Sequence, residues 1–451
     1  MSGPLRLLPG DGDDLPALPR ERTGPVRPAW AADPVDELAE RLVEQIAVAT
    51  HPDEVAALLE SDGLTAERVE RQYGRSDLFA LAEDLYDRVP RHHPSPPAGT
   101  DPWRADPLRC AVRGLVFALP GLAYVLAVPL RHGRQDLTGL VAAALLAWAV
   151  NQGLSHRAHL RLATEGRAGA ARTLRVGAPA GALVSAGLGT ALSGPTLAGA
   201  FAAGQSVYLA AASALLVLGR ERALLLSLLP LAAGAGATLI WMLPVAAVLV
   251  VLFGTVALSV GAAWGALRAA LRTGEKTPCT VPVFSSLPYG LFGLAAGVLV
   301  VLAGALDALT VVVLTLSMGF AEWVLYRYRS LTVAALRSTT DLRGFARGSG
   351  RALALCLGGY VGLLGCAALI AGTGPFALIG LGAVFWTALL LQAFSVSWFP
   401  ALVTLAAAGT QAAAWHVELP GAPVQLISTA LAAAVLTVGA LRLLARPSAH
   451  R

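Results

Sequence analysis

A chain of 451 residues that is 55% hydrophobic and only 14% charged falls well short of the charge of an ordinary soluble domain, about 25%. With repeated apolar runs of about 18 residues or more, this composition excludes a soluble globular protein and places the chain in the membrane class. The net charge of +5 rests on arginine, with Lys276 the one lysine, and its distribution speaks to membrane orientation rather than to nucleic-acid binding.

Residues 1–32 carry six prolines and no apolar period, so they are expected to be disordered. No basic stretch followed by an apolar core opens the chain, and no cleavable signal is expected. Residues 33–90 read as a compact bundle of four short helices. Asp33-Pro34 supplies an N-cap and a first-turn proline, and Leu38, Leu42, Val43 and Ile46 follow at helical spacing. A second helix starts near Pro52 and ends at Gly63, and a third begins at Thr65. Ser76 caps a fourth, whose Leu78, Leu81, Leu85 and Val89 share one face. From Pro34 to Pro90 there are 14 acidic residues against five arginines, a formal charge of −9. Such a surface suits either simple solvation or docking of residues 34–90 on basic loops of the same chain. Residues 91–109 hold Pro94, Pro96, Pro97, Pro102 and Pro107 and form a semi-rigid linker.

Twelve apolar spans follow, at 112–130, 137–154, 174–193, 195–219, 223–241, 244–267, 283–303, 306–326, 350–371, 374–394, 396–415 and 423–444. Each approaches the roughly 20 residues that a helix needs to cross the hydrocarbon core. With the N-terminal bundle in the cytoplasm, nineteen basic residues fall in or beside the inner loops 155–173, 220–222, 268–282 and 327–349 and the tail, against only Arg131 and Arg134 outside. That asymmetry supports an even count with both termini inside.

Landmarks recur in the same order along the two halves of this region. Trp148 and Trp323, Gly194-Pro195 and Gly374-Pro375, Trp241 and Trp415, and Pro120 and Pro288 are separated by 175, 180, 174 and 168 residues. The sequence therefore predicts an all-α polytopic membrane protein of two six-helix halves, 110–267 and 283–446. A cytoplasmic interlobe loop at 268–282 joins them, and a short tail at 447–451 ends the chain. Halves with an even number of spans are parallel repeats, related by an axis along the membrane normal.

Proline inside a membrane helix frees a carbonyl that lipid cannot satisfy, so such kinks tend to face protein or water. Pro120 with Gly121, and Pro288 with Tyr289, are therefore candidate pathway residues. Gln205, Ser206 and Tyr208 form the densest polar cluster inside a span and are candidates as well. Glu322 is a carboxylate near the cytoplasmic end of a span, close in sequence to Arg327 and Arg329. A local ion pair and a gate are both open for it. His156 and His159, in an Arg-rich loop, read as solvated bases rather than metal ligands. No nucleophile–base constellation, phosphate-cradling glycine loop or metal spacing stands out, so no enzyme activity, cofactor or metal is expected. The cysteines Cys110, Cys279, Cys356 and Cys366 show neither zinc nor disulfide spacing.

With its interrupted first helices at Pro120 and Pro288, its interlobe loop 268–282 and its paired basic loops, the segment 110–446 resembles the multidrug/oligosaccharidyl-lipid/polysaccharide exporter superfamily. The polysaccharide-flippase branch is the most similar, and the stretch Glu322-Trp323-Val324-Leu325-Tyr326-Arg327-Tyr328-Arg329 through Arg347 resembles a cytoplasmic loop of such flippases. The acidic bundle lies outside that pattern. The resemblance implies two lobes that rock about a central cavity in the plasma membrane and export an envelope glycan or lipid-linked sugar. The competing expectation is a non-transporting scaffold that recruits a cytoplasmic partner through its N-terminal bundle.

Overall fold

The computed structural model describes residues 33–91, 101, 103–104, 106–130, 134–272, 282–339 and 341–450. The tail 1–32, most of the proline-rich linker, and Lys276 and Cys279 lie outside the described residues. Among the described residues every regular element is helical. The chain divides into two compact units, residues 1–100 and 101–451.

The first unit has five short helices rather than four: α1 (Pro34–Arg41), α2 (Val43–Val48), α3 (Pro52–Ser61), α4 (Ala66–Tyr73) and α5 (Leu78–Arg88). The expected first helix is divided at Leu42, whose backbone leaves the helical region (φ −105°, ψ 13°). Asp33 caps α1 by accepting from the Val35 N–H at 3.1 Å. Asp77, not Ser76, caps α5 by accepting from the Ala80 N–H at 2.8 Å; it stands directly before the first helical residue, where an N-cap must be. Val35, Leu38, Ile46, Leu59, Val69, Leu81 and Leu85 form a core in which none is more than 2% exposed. Arg88 gathers the surface acids. It donates to both Asp84 oxygens at 3.0 Å, to Asp33 at 3.1 Å and to Asp36. Part of the acidity read from the sequence is thus neutralised within the unit.

The second unit begins with α6 (Pro107–Ala118), a 3₁₀ turn at Leu119–Gly121 and α7 (Leu122–Leu126). There follow α8 (Arg134–Ser193), α9 (Leu197–Val217), α10 (Glu221–Ser227), α11 (Leu229–Ala237) and α12 (Val245–Leu271). A 3₁₀ turn at Val283–Ser286 then leads into α13 (Leu287–Leu306), α14 (Ala308–Leu316), α15 (Met318–Ser338), α16 (Leu342–Ala371), α17 (Pro375–Ala393), α18 (Trp398–His416) and α19 (Gly421–Leu443). Eight of the described helices are long and apolar enough to cross a membrane, or up to nine if the bent pair α14–α15 is one span. That pair turns by 44° at Ser317, whose hydroxyl meets the Tyr360 hydroxyl at 3.0 Å.

The two basic stretches at 155–173 and 327–349 are not open loops. α8 runs through the first, turning at Gly166, whose φ of 70° ordinary side chains resist. Buried Glu165 accepts from Arg172 at 2.8 Å across that turn. In the second, α15 continues to Ser338, and Asp341 caps α16 by accepting from the Gly344 N–H at 3.0 Å. Both stretches are rich in Arg, Ala and Leu and lack proline, so their helix propensity carries the helices past their apolar portions.

The two prolines that suggested matched kinks are not alike. Pro120 sits in the 3₁₀ turn that separates α6 from α7. Pro288 is the second residue of α13, where its missing N–H forfeits no intrahelical bond. Of these two, Pro120 lies within an apolar segment and Pro288 at the start of a helix.

Buried apolar side chains of this unit form two large clusters. One draws only on residues between Val116 and Ala270, the other only on residues between Phe292 and Leu444. They meet along two seams lined by glycine. Where α6 passes α15, a Cβ on Gly319 would lie 2.6 Å from the Cys110 carbonyl oxygen and 3.1 Å from Gly114 Cα. Where α13 passes α8, a Cβ on Gly290 would lie 3.2 Å from the Ala149 oxygen, and one on Gly153 would lie 3.3 Å from the Ser286 oxygen. Glycine lets these helix backbones approach more closely than any other residue would.

The first unit allows a direct test of its arginine hub. Burial pushes the Asp84 carboxyl up, but Arg88 and Arg75 outweigh it and hold it below the usual carboxylate range. The pairing therefore stabilises the fold above the ordinary carboxylate pKa, and that stability is lost as pH falls through the lowered value. In urea denaturation of residues 33–91, Arg88→Ala is expected to cost about 1–2 kcal/mol near neutral pH. The difference from the parent should shrink in strong acid; an equal difference at both pH values contradicts the assignment.

Candidate functional site

Charge in the second unit converges where α6, α10 and α15 meet. Arg109 and Arg113 are four residues apart on α6 and so share a face. Arg113 donates through Nε and Nη2 to Glu221 Oε1 at 3.1 and 2.9 Å, and through Nη1 to Glu322. Arg109 donates to the same Glu221 oxygen at 3.0 Å. The side chains of Glu221, Glu322 and Arg113 are 10%, 19% and 22% exposed. At that depth each charge carries a desolvation cost that only a well-placed partner offsets. Arg113 and Glu221 belong to the part of the chain that builds the first apolar cluster, and Glu322 to the part that builds the second. The Arg113–Glu322 pair therefore crosses the α6–α15 seam.

The structure gives Glu322 a different partner from either expected arginine. Arg327 follows it by five residues, a rotation of about 140° away on a helix, and is exposed. Arg329 lies two turns on and is otherwise engaged. Its guanidinium sits 4.1 Å from the Trp103 ring and 5.0 Å from the Phe394 ring and donates to the Ala393 carbonyl. The end of the linker reaches α15 here. The Ser330 hydroxyl donates to Asp101 and, with the Trp103 backbone N–H, holds the Asp101 carboxyl below its ordinary range.

The remaining candidates are dispersed. Gln205 Oε1 accepts from the Tyr124 hydroxyl at 2.8 Å, while its Nε2 is buried without a hydrogen-bond partner. Ser206 donates back to the Ala202 carbonyl of its own helix at 2.9 Å. Tyr208 is packed into the first apolar cluster. These three residues do not converge on one point. Gly121 has open space where its side chain would be, and Pro288 is buried at the head of α13. Tyr289 stacks on His156 with ring centroids 3.6 Å apart and an interplanar angle of 14°. His156 Nδ1 lies 3.1 Å from Ser286 Oγ. His156 is thus not a solvated base but part of the α8–α13 seam, whereas His159 is exposed.

Sequence reasoning missed Arg109, Glu221 and the seam position of Arg113. A lone acid in a short turn carries no periodic signal. The available clue was the pair Arg109 and Arg113 on one face at the head of an apolar segment, since such cations need counter-charges nearby. Among the described residues no group of three His, Cys, Asp or Glu side chains is placed to hold a metal. The chain matches no protein-family model and no curated protein.

Arg113 serves two carboxylates, whereas Glu221 retains Arg109 if Arg113 is lost. Arg113→Met therefore strands Glu322, while Glu322→Gln leaves Arg113 paired with Glu221. In thermal unfolding of the purified protein, Arg113→Met is expected to be the more damaging, by roughly 2–3 kcal/mol against about 1 kcal/mol. The reverse order would show that Glu322 draws its compensation from elsewhere.

Proposed function

We propose that this chain is a multi-pass transporter, a flippase-like export component for an envelope polysaccharide or lipid-linked sugar, working by alternating access between two lobes. The observation that carries the reading is the pair of separate apolar clusters meeting along glycine-lined seams. Two bodies, each with its own core, can part and rejoin as units along such seams. The substrate class rests on the resemblance of residues 110–446 to polysaccharide flippases.

Twelve crossings result when Gly166 divides α8 and when α6–α7, α10–α11 and α14–α15 each count as one. The excess of arginine at alternate helix ends then supports cytoplasmic termini in the cell membrane. On that topology the Arg113–Glu221–Glu322 cluster, the helical hairpin at Gly166 and the neighbouring ends of α15 and α16 face the cytoplasm. Residues 33–91, folded around a core of their own, are suited to binding a cytoplasmic partner.

The purified protein, reconstituted in liposomes holding a fluorescent lipid-linked oligosaccharide, is expected to move the label between leaflets, read as growing accessibility to a membrane-impermeant quencher. No movement above protein-free vesicles, together with loss of surface polysaccharide in cells when residues 1–105 are deleted, would favour the scaffold reading instead.

A further inference from the structure

The two seams match at their closest glycine positions. Gly290 follows Gly114 by 176 residues, and Gly319 follows Gly153 by 166. In one seam Gly114 of α6 meets Gly319 of α15; in the other Gly290 of α13 meets Gly153 of α8. In each, a Cβ on the second glycine would meet the carbonyl four residues before the first: on Gly319 the Cys110 oxygen at 2.6 Å, and on Gly153 the Ser286 oxygen at 3.3 Å. The membrane segments Pro107–Leu126 and Val283–Leu306 begin with the same 176-residue offset. An exchange in which the first helix of each half meets the second helix of the other is what a two-fold axis imposes on a contact. The prolines, 168 residues apart, do not share that offset, in keeping with their unlike positions.

The equivalence extends to the side chains that bridge the seams. Immediately before the first glycine stand Arg113 in one seam and Tyr289 in the other. Three residues after the second glycine stand Glu322 and His156. These are the pairs in contact: Arg113 donates to Glu322, and Tyr289 stacks on His156 at 3.6 Å. We infer that the Arg113–Glu322 ion pair and the Tyr289–His156 stack are equivalent latches, one on each side of the two-fold, that jointly close the cytoplasmic side between the lobes. The latches rest on the two-lobe reading above. They differ in chemistry but share a geometry: each ties one helix of the first half to one of the second, one helical turn from the tightest backbone contact. Because the lobes move as bodies, releasing either latch loosens both seams.

Cys110 supplies a native reporter. It is buried, 4% exposed, and its carbonyl faces Gly319, where a Cβ would lie 2.6 Å away. In the full-length chain with Cys279, Cys356 and Cys366 replaced by Ala, maleimide labelling of Cys110 in membranes should be slow. Arg113→Met should speed it by about tenfold or more, and so should His156→Ala on the opposite seam. His156→Phe, which retains a ring over Tyr289, should label slowly. Tyr289→Arg with His156→Glu, which places the ion pair of one seam in the other, should also label slowly. Should that double variant fail to assemble, the His156→Ala and His156→Phe pair decides. The inference is overturned if His156→Ala labels at the parent rate, or if His156→Phe labels as fast as His156→Ala. Labelling needs no substrate, so failure here with intact flipping in liposomes would remove the second latch alone.

Discussion

A guanidinium in the first apolar segment must be neutralised, and the way Arg113 is neutralised orders much of the second unit. One carboxylate, Glu221, comes from the head of α10, and the other, Glu322, from α15. Satisfying one side chain thus fixes α6 against an element of its own half and against an element of the other. Glu221 has a second cation in Arg109, whereas Arg113 is the arginine that the structure pairs with Glu322.

Glycine supplies the shape into which this charge pairing fits. Gly114 and Gly319 let α6 and α15 approach until backbone touches backbone, and Gly153 and Gly290 do the same for α8 and α13. The apolar side chains meanwhile gather into two clusters with no shared members. Between the parts of the chain that build these clusters, α8 packs along α13 from Leu145 and Trp148 beside Gly297 to Gly153 beside Ser286, and α6 meets α15 at Gly114 and Gly319.

Much of the fold was legible in the sequence. Hydropathy located the apolar helices, and Asp33-Pro34 announced the start of α1. What the sequence hid were relations between distant residues. Glu322 has two arginines nearby in the chain, yet its partner is 209 residues away, because helical rotation carries Arg327 off its face. Proline at 288 looked like a kink because proline carries no sign of whether a helix starts or bends there. The basic stretches looked like loops because charge was taken for irregular structure, whereas arginine and alanine extend helices. His156 looked solvated because Tyr289, which covers it, lies on a different helix. The glycine repeat was present in the sequence throughout, but its two offsets, 176 and 166, differ by a ten-residue change between first and second helices, which no single alignment offset reveals.

The central claim is that Arg113 holds the two halves together at their charged end. Spin labels at Thr164 of α8 and Ser338 of α15, both exposed, would measure the separation of the two parts by electron–electron double resonance in lipid. The account predicts one narrow distance distribution in the parent chain, and a second, longer population when Arg113 is replaced by Met. A distribution unchanged by that replacement would contradict it.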